Sequence, residues 1–273
     1  MKTPGMGLAA AVLGLAAGAA AAAGADHDCM IEPAQVVEVR SPVVGILQQV
    51  PVRRGQPVRK GETLVVIESS VERSQAETAS FRAEAQGAVL QARGKTVAAR
   101  EKARRMDELL SEEFVSAQAR DDAVAELHQA EAELQTAQEN VELARLQRQE
   151  AVDQLNRRVL RSPFDGVVMD QYLYPGALVD AGEGKKPIIK IAQTDPLIVQ
   201  AILSFKLFPQ VHAGDAATVL PEPPFSGEIA ARIKTVDRVI DSAAGTFGVV
   251  LELPNPRHEL PGGIRCKLRL RGR

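Results

Sequence analysis

The sequence predicts an α+β protein: a small β-sandwich written in two halves, an antiparallel helical hairpin inserted between them, and a β-rich tail. The first observation is a repeat. SPVVGILQQVPVRRGQPVRKG at 41–61 returns at 162–182 as SPFDGVVMDQYLYPGALVDAG, so that Ser41, Pro42, Gly45, Gly55, Val58 and Gly61 match Ser162, Pro163, Gly166, Gly176, Val179 and Gly182 at one offset. The second is residues 70–158, which contain no Pro and only Gly87 and Gly94 as glycines. The third is the run of short β-branched segments after 194, separated by Gly and Pro turns.

Residues 1–25 read as a secretory signal peptide. Lys2 precedes an uncharged Ala- and Leu-rich run, and Ala23-Gly24-Ala25 has the small-x-small form of a cleavage site. A retained membrane anchor is the competing reading, but the run is short of the ~20 strongly apolar residues that a spanning helix needs. Cys29 suggests lipidation, against which stands Asp26-His27-Asp28 directly before it. The mature chain is therefore expected to be soluble or peripheral on the exported side of a bacterial inner membrane.

Residues 26–40 form an N-terminal segment and entering strand, the acidic start of which is expected to be disordered. Each repeat copy then reads as a strand, a Gly turn and a second strand (41–67 and 159–194). Two copies are too few for a solenoid, whose units need several neighbours to bury a common core, so they are read as halves of one sandwich.

Residues 68–158 are rich in Ala, Glu, Gln, Arg and Leu, which lose little on entering a helix. Ala85, Val89, Ala92, Thr96, Ala99, Ala103, Met106 and Leu110 keep one heptad frame. Leu127, Ala130, Leu134, Ala137, Val141, Ala144, Ala151 and Leu155 keep another, interrupted only by Arg148. Two seams of that period predict two facing arms of ~40 residues, each roughly 60 Å long. The tip falls near Glu112 to Ser116, with Ser116 as N-cap of the second arm.

In this order of parts the chain resembles the periplasmic adaptor subunits, the HlyD-type membrane fusion proteins of bacterial efflux and type I secretion systems, over essentially the whole mature length. The resemblance implies a biotinyl/lipoyl-like sandwich split by a coiled-coil hairpin and followed by a small β-barrel (195–273). The modified lysine of a true lipoyl domain would fall at Glu68-Ser69-Ser70, where no Lys stands, so a biotin or lipoate cofactor is not expected. Adaptors that dock on an outer-membrane channel carry an Arg, a Leu four residues on and a Ser seven further. Arg105, Leu109 and Ser116 stand at that spacing, and the resemblance assigns them to channel docking. Taken singly, a solvated arginine, a seam leucine and an N-cap serine would serve as well. The family places a small residue before the turn, where this chain has Glu113-Phe114.

Gly227, Asp241, Thr246, Asn255-Pro256 and Pro261-Gly262 resemble the family's barrel. The larger membrane-proximal domain of many adaptors is expected to be missing or reduced to one strand.

The resemblance implies a non-enzymatic homo-oligomer that joins an inner-membrane transporter of the RND or ABC type to an outer-membrane channel. Type I secretion is the alternative within the class, and a free periplasmic ligand- or metal-binding protein the alternative outside it. The four histidines, His27, His128, His212 and His258, show no metal-ligand spacing, and no nucleotide-binding or nucleophile motif occurs. A formal charge of −2 with no Trp gives no basic, aromatic surface for nucleic acid. Cys29 and Cys266 are the only cysteines, and an exported pair usually closes. In the family's architecture the entering and leaving segments run near each other on the barrel, which makes a bridge between them plausible.

Overall fold

The computed structural model describes residues 26–182 and 185–270. The signal-peptide reading of 1–25 lies outside the described residues. The chain forms two units, one spanning Ala34–Asp195, the other formed from the described residues up to Pro33 and from Pro196 onward.

The first unit contains the sandwich and the hairpin. Strands β2 (Gly45–Gln49), β4 (Thr63–Ile67), β5 (Val159–Arg161) and β7 (Leu178–Val179) form one sheet in the order β5-β4-β2-β7. Opposite it, β6 (Gly166–Gln171) lies between β3 (Pro57–Val58) and the first residues of β8 (Ile189–Ser204). Leu47, Leu64, Ile67, Ile188, Ile189 and Ile191 are fully buried between them, so branched aliphatics do the work that aromatics do in many cores.

The repeat folds as two halves that exchange strands. Gly45 pairs with Val179 and its counterpart Gly166 with Val58. Gly176 N–H donates to Leu47 O at 2.8 Å and Gly55 N–H to Val168 O at 2.8 Å. In return Leu47 N–H donates to Ala177 O at 2.9 Å, and Val168 N–H to Gln56 O at 3.0 Å. Each repeated residue has a physical task. Gly55 and Gly176 hold φ of 82° and 90°, where an L side chain is strained. A Cβ on Gly166 would stand 2.2 Å from Ala192 O, and one on Gly45 2.6 Å from Arg158 Nη1. Ser41 and Ser162 are buried and donate to carbonyls two residues on, Val43 O and Phe164 O.

The hairpin consists of α1 (Ser70–Glu84), α2 (Gly87–Ser111) and α3 (Ala117–Asn156). The second arm is one helix of 40 residues, but the first is broken at Ala85-Gln86, contrary to the single arm expected. Ala85, placed on the seam from its heptad position, is exposed and extended, with ψ of 110°. The cause is a phase shift. Ala76 and Ala83 are the buried residues of α1, whereas burial in α2 starts at Val89. In an unbroken helix Ala83 and Val89 would point about 120° apart. The break lets both face α3. Above it the seam is as expected, with Val89, Ala92, Thr96, Ala99 and Ala103 buried and Arg148 exposed. Thr96 Oγ1 lies 3.0 Å from Ala130 O, a hydrogen bond between the arms.

The second unit is a barrel. With β1 (Asp26–Val39), β9 (Ala216–Pro221), β10 (Ile229–Val236), β11 (Thr246–Leu253) and β12 (Ile264–Leu270), the order is β1-β12-β9-β10-β11-β8, and a further β1–β8 pairing closes the ring. Burial alternates along β11, and Phe247 meets Phe208 edge to face at 5.3 Å. Most of the residues that resemble the family's barrel make turns, and Thr246 opens β11. Asn255 exchanges two hydrogen bonds with Leu260, Asp241 Oδ1 accepts from Ala243 N at 2.9 Å, and Gly262 leaves room for Pro33. The β-rich tail expected after 194 does not open with a new strand: β8 runs without a break from Ile189 to Ser204.

The acidic start corrects another expectation. Asp26, His27 and Asp28 belong to β1, in register with Arg269, Leu268 and Lys267. Asp28 pairs with Lys267, and Asp26 with Arg269 at 3.0 Å. The hydrogen bond from Lys267, and then its charge, hold the Asp28 carboxyl below the usual carboxylate range. Opposite charges directly across a ladder supply the partner that the isolated segment lacks.

Candidate docking site at the hairpin tip

α2 ends in a Schellman motif. Phe114 N–H donates to Leu109 O at 2.9 Å and Glu113 N–H to Leu110 O at 3.0 Å. Glu113 takes the left-handed position with φ of 62°, one usually filled by Gly, at a cost of roughly 1–2 kcal/mol for an L residue. Ser116 then caps α3, its Oγ accepting from Ala119 N at 3.2 Å. The turn is therefore closed by backbone bonds and one hydroxyl.

The sequence-derived trio lies around this turn. Arg105 is exposed on α2 and makes no hydrogen bond or ion pair among the described residues. Leu109, one turn further on the same face, is half-buried. Ser116 begins the opposite arm, so its capping role is structural whatever else it does. Sequence reasoning did not single out Arg120, which lies 3.0 Å from Asp121 and 3.9 Å from Asp107 on the other arm. Its Nε has no hydrogen-bond partner among the described residues.

Ion pairs continue between the arms at Lys102–Glu126 (2.5 Å), Arg100–Glu131 (2.8 Å) and Lys95–Glu133 (3.0 Å). The hydrogen bond from Lys95 and then its charge keep the Glu133 carboxyl below its ordinary range. All are exposed, and such pairs contribute ~0–1 kcal/mol each. At the root, the Arg158 guanidinium bonds Glu72 at the start of α1 and Val44 O on the sandwich, at 3.1 Å for the latter. The Arg158–Glu72 pair is mostly buried, at 17% and 16% side-chain exposure, and ties the hairpin to its base. Nothing local in the sequence marks it, because its partners stand far apart along the chain.

Cys29 and Cys266 face each other across β1 and β12, with Cα atoms 4.9 Å apart and their sulfurs joined. Cys29 lies inside β1. Among the described residues no group of three or more His, Cys, Asp or Glu side chains could hold a metal ion, and no helix is long and apolar enough to cross a membrane.

Residues 35–192, the sandwich with its inserted hairpin, match the family described as CzcB-like, barrel-sandwich hybrid domain. The chain belongs to this family. The chain is 27% identical over 250 residues to the multidrug/solvent efflux pump periplasmic linker protein MepA of Pseudomonas putida, covering 87% of this chain and 58% of that one. It is 23% identical over 248 residues to the multidrug efflux pump subunit AcrA of Escherichia coli K12, covering 86% and 59%. The chain thus spans less than two thirds of the length of these curated relatives. Among solved structures, MacA from Actinobacillus actinomycetemcomitans superimposes with a TM-score of 0.74 at 23% identity, over 90% of this chain and 78% of that one. That likeness shows a shared fold: hairpin, lipoyl-like sandwich and barrel.

Proposed function

We propose that this protein is a non-enzymatic periplasmic adaptor. It links an inner-membrane exporter of the RND or ABC type to an outer-membrane channel, as a homo-oligomer peripheral to the inner membrane. The observation that carries the reading is the hairpin apex. A sandwich split by ~60 Å arms ends in a turn that leaves the Arg105 fork without a partner, with Leu109 beside it. An unpaired guanidinium can bond the carbonyls or carboxylates of another protein's helical ends, and Leu109 adds apolar contact. The family match and the periplasmic linker proteins among its relatives support the same reading. Efflux is favoured over protein secretion because those relatives belong to efflux pumps.

Self-association has its own support. Leu90 and Val97, one heptad apart, are exposed on α2, and Leu143 and Leu146 are exposed on α3. A second copy of the hairpin would cover them. The closed pair Cys29–Cys266 fits the oxidising compartment this role requires.

The test is an export or resistance assay in a strain carrying the cognate pump and channel. Arg105→Asp and Leu109→Ser should each reduce export tenfold or more, since losing a buried charged contact typically costs ~2–5 kcal/mol and losing a packed apolar hot-spot side chain about 2 kcal/mol. Melting of Arg105→Asp should stay within about 0.5 kcal/mol of the parent, as for other surface substitutions, while Leu109→Ser, at a half-buried position, should keep its helix content with a somewhat lower melting point. Glu142→Gln, away from the tip, should be silent. Normal export by both tip variants at equal expression would leave the hairpin a strut and overturn the docking role.

A further inference from the structure

The tip carries one side chain that neither the fold nor the trio accounts for. Phe114 is 73% exposed and packs into neither hydrophobic core. The Schellman turn fixes its backbone through the bond to Leu109 O and leaves the ring outside. Burying a phenyl ring stabilises a protein or an interface, and this chain leaves the ring in solvent. Glu112 and Glu113 precede it in the turn and Asp122 follows on the second turn of α3, none with an ion pair among the described residues. The nearby acids Asp107 and Glu108 are already paired, with Arg120 and Arg104. The apex is therefore an aromatic knob in a field of uncompensated carboxylates, with Arg105 as its one free cation among the described residues.

The geometry points to Phe114 as the apolar anchor of the tip contact, received by a recess in the outer-membrane channel that is apolar at its floor and basic around its mouth. This rests on the docking reading given above and adds the chemistry of the surface that is met. Buried aromatic anchors surrounded by polar rims carry much of the energy of protein interfaces, and charge at the rim mainly sets association rate and partner choice. Free carboxylates beside the ring demand cationic or N–H-donating groups on the facing surface. They also argue against two other occupants: an anionic lipid surface repels them, and so does the same tip of a second copy.

The test uses the full mature chain and, as probe, the purified detergent-solubilised channel of its own export system immobilised on a sensor. Phe114→Ala should weaken binding tenfold or more and Phe114→Leu by less than threefold. Glu112→Lys with Glu113→Lys should slow association, while the wild-type rate should fall as salt rises. Phe81→Ala, an equally exposed ring in α1, should bind as wild type. Circular dichroism of each variant should be unchanged. Phe114→Ala binding within twofold of wild type while Arg105→Asp is lost would overturn the anchor and keep the docking reading. Wild-type binding by both variants would remove both. Phe114-dependent sedimentation with phosphatidylglycerol vesicles, or Phe114-dependent dimers of the adaptor alone, would also overturn the proposal.

Discussion

The sandwich and the hairpin are built from adjacent stretches of one chain, yet they hold together by different means. In the sandwich, Leu47, Leu64, Ile67 and Ile191 lose all contact with solvent, and the two repeat copies lock each other through reciprocal backbone bonds. In the hairpin, the buried residues are mostly alanines, helped by one inter-arm hydrogen bond from Thr96 and a ladder of exposed ion pairs. Alanine lets helices approach closely but removes little apolar area from water. The difference teaches a division of labour. The sandwich fixes a root, Arg158 and Glu72 fasten the arms to it, and the arms spend their length on reach rather than on core.

Truncation gives the largest separation between the two regions. Leu47→Ala should destabilise the purified mature chain by about 3–4 kcal/mol, because the site is enclosed by β-structure that cannot collapse around the cavity. Ala99→Gly in the seam should cost only about 1 kcal/mol, the difference in helix propensity. Urea titration followed at 222 nm and by protease resistance of the sandwich would show it. Equal costs at both sites would erase the distinction.

The barrel sharpens the contrast, because its first and last strands are joined covalently as well as by charge. Periplasmic protein should contain no thiol that reacts with an alkylating reagent until it is reduced. Cys29→Ser should leave Cys266 titratable and lower stability by about 2–4 kcal/mol, the hairpin being unaffected. Two reactive thiols without reductant would contradict the pairing.

A pair of glycines provides a smaller effect of opposite sign. A Cβ on Gly166 meets the backbone oxygen of Ala192, whereas one on Gly94, mid-helix in α2, meets nothing within 4 Å. Gly166→Ala should therefore destabilise by about 2–3 kcal/mol. Gly94→Ala should stabilise by about 1 kcal/mol. Melting curves of the two variants decide it, and a stabilising Gly166→Ala would mean that the repeat glycines are not there for close approach.

How much was legible follows from the same contrast. The repeat could be read because Gly45, Gly55, Gly166 and Gly176 each occupy a backbone position that few other residues tolerate, so the geometry shows in the letters. The arms could be read because a heptad seam is a local pattern. The break at Ala85-Gln86 could not, since both residues suit a helix and the phase shift has meaning only against α3. Asp26 and Asp28 looked unpaired for a related reason. Their partners, Lys267 and Arg269, stand at the other end of the chain. The Arg158–Glu72 clamp was hidden in the same way, its two ends separated by the whole hairpin. At the tip, the spacing of Arg105, Leu109 and Ser116 was visible, but the left-handed Glu113 and the outward ring of Phe114 depend on how α2 terminates.

On the proposed reading, the hairpin apex touches an outer-membrane channel while the arms below it do not. This is tested most directly by placing the photo-crosslinking residue p-benzoylphenylalanine at Ala117, exposed beside the turn, and separately at Glu142, exposed on the arm. Irradiation of cells carrying the complete export system, followed by blotting for the channel, should give an adaptor–channel adduct from position 117 and none from 142. Channel adducts absent from 117 in cells that still export, or formed equally from 142, would contradict the account.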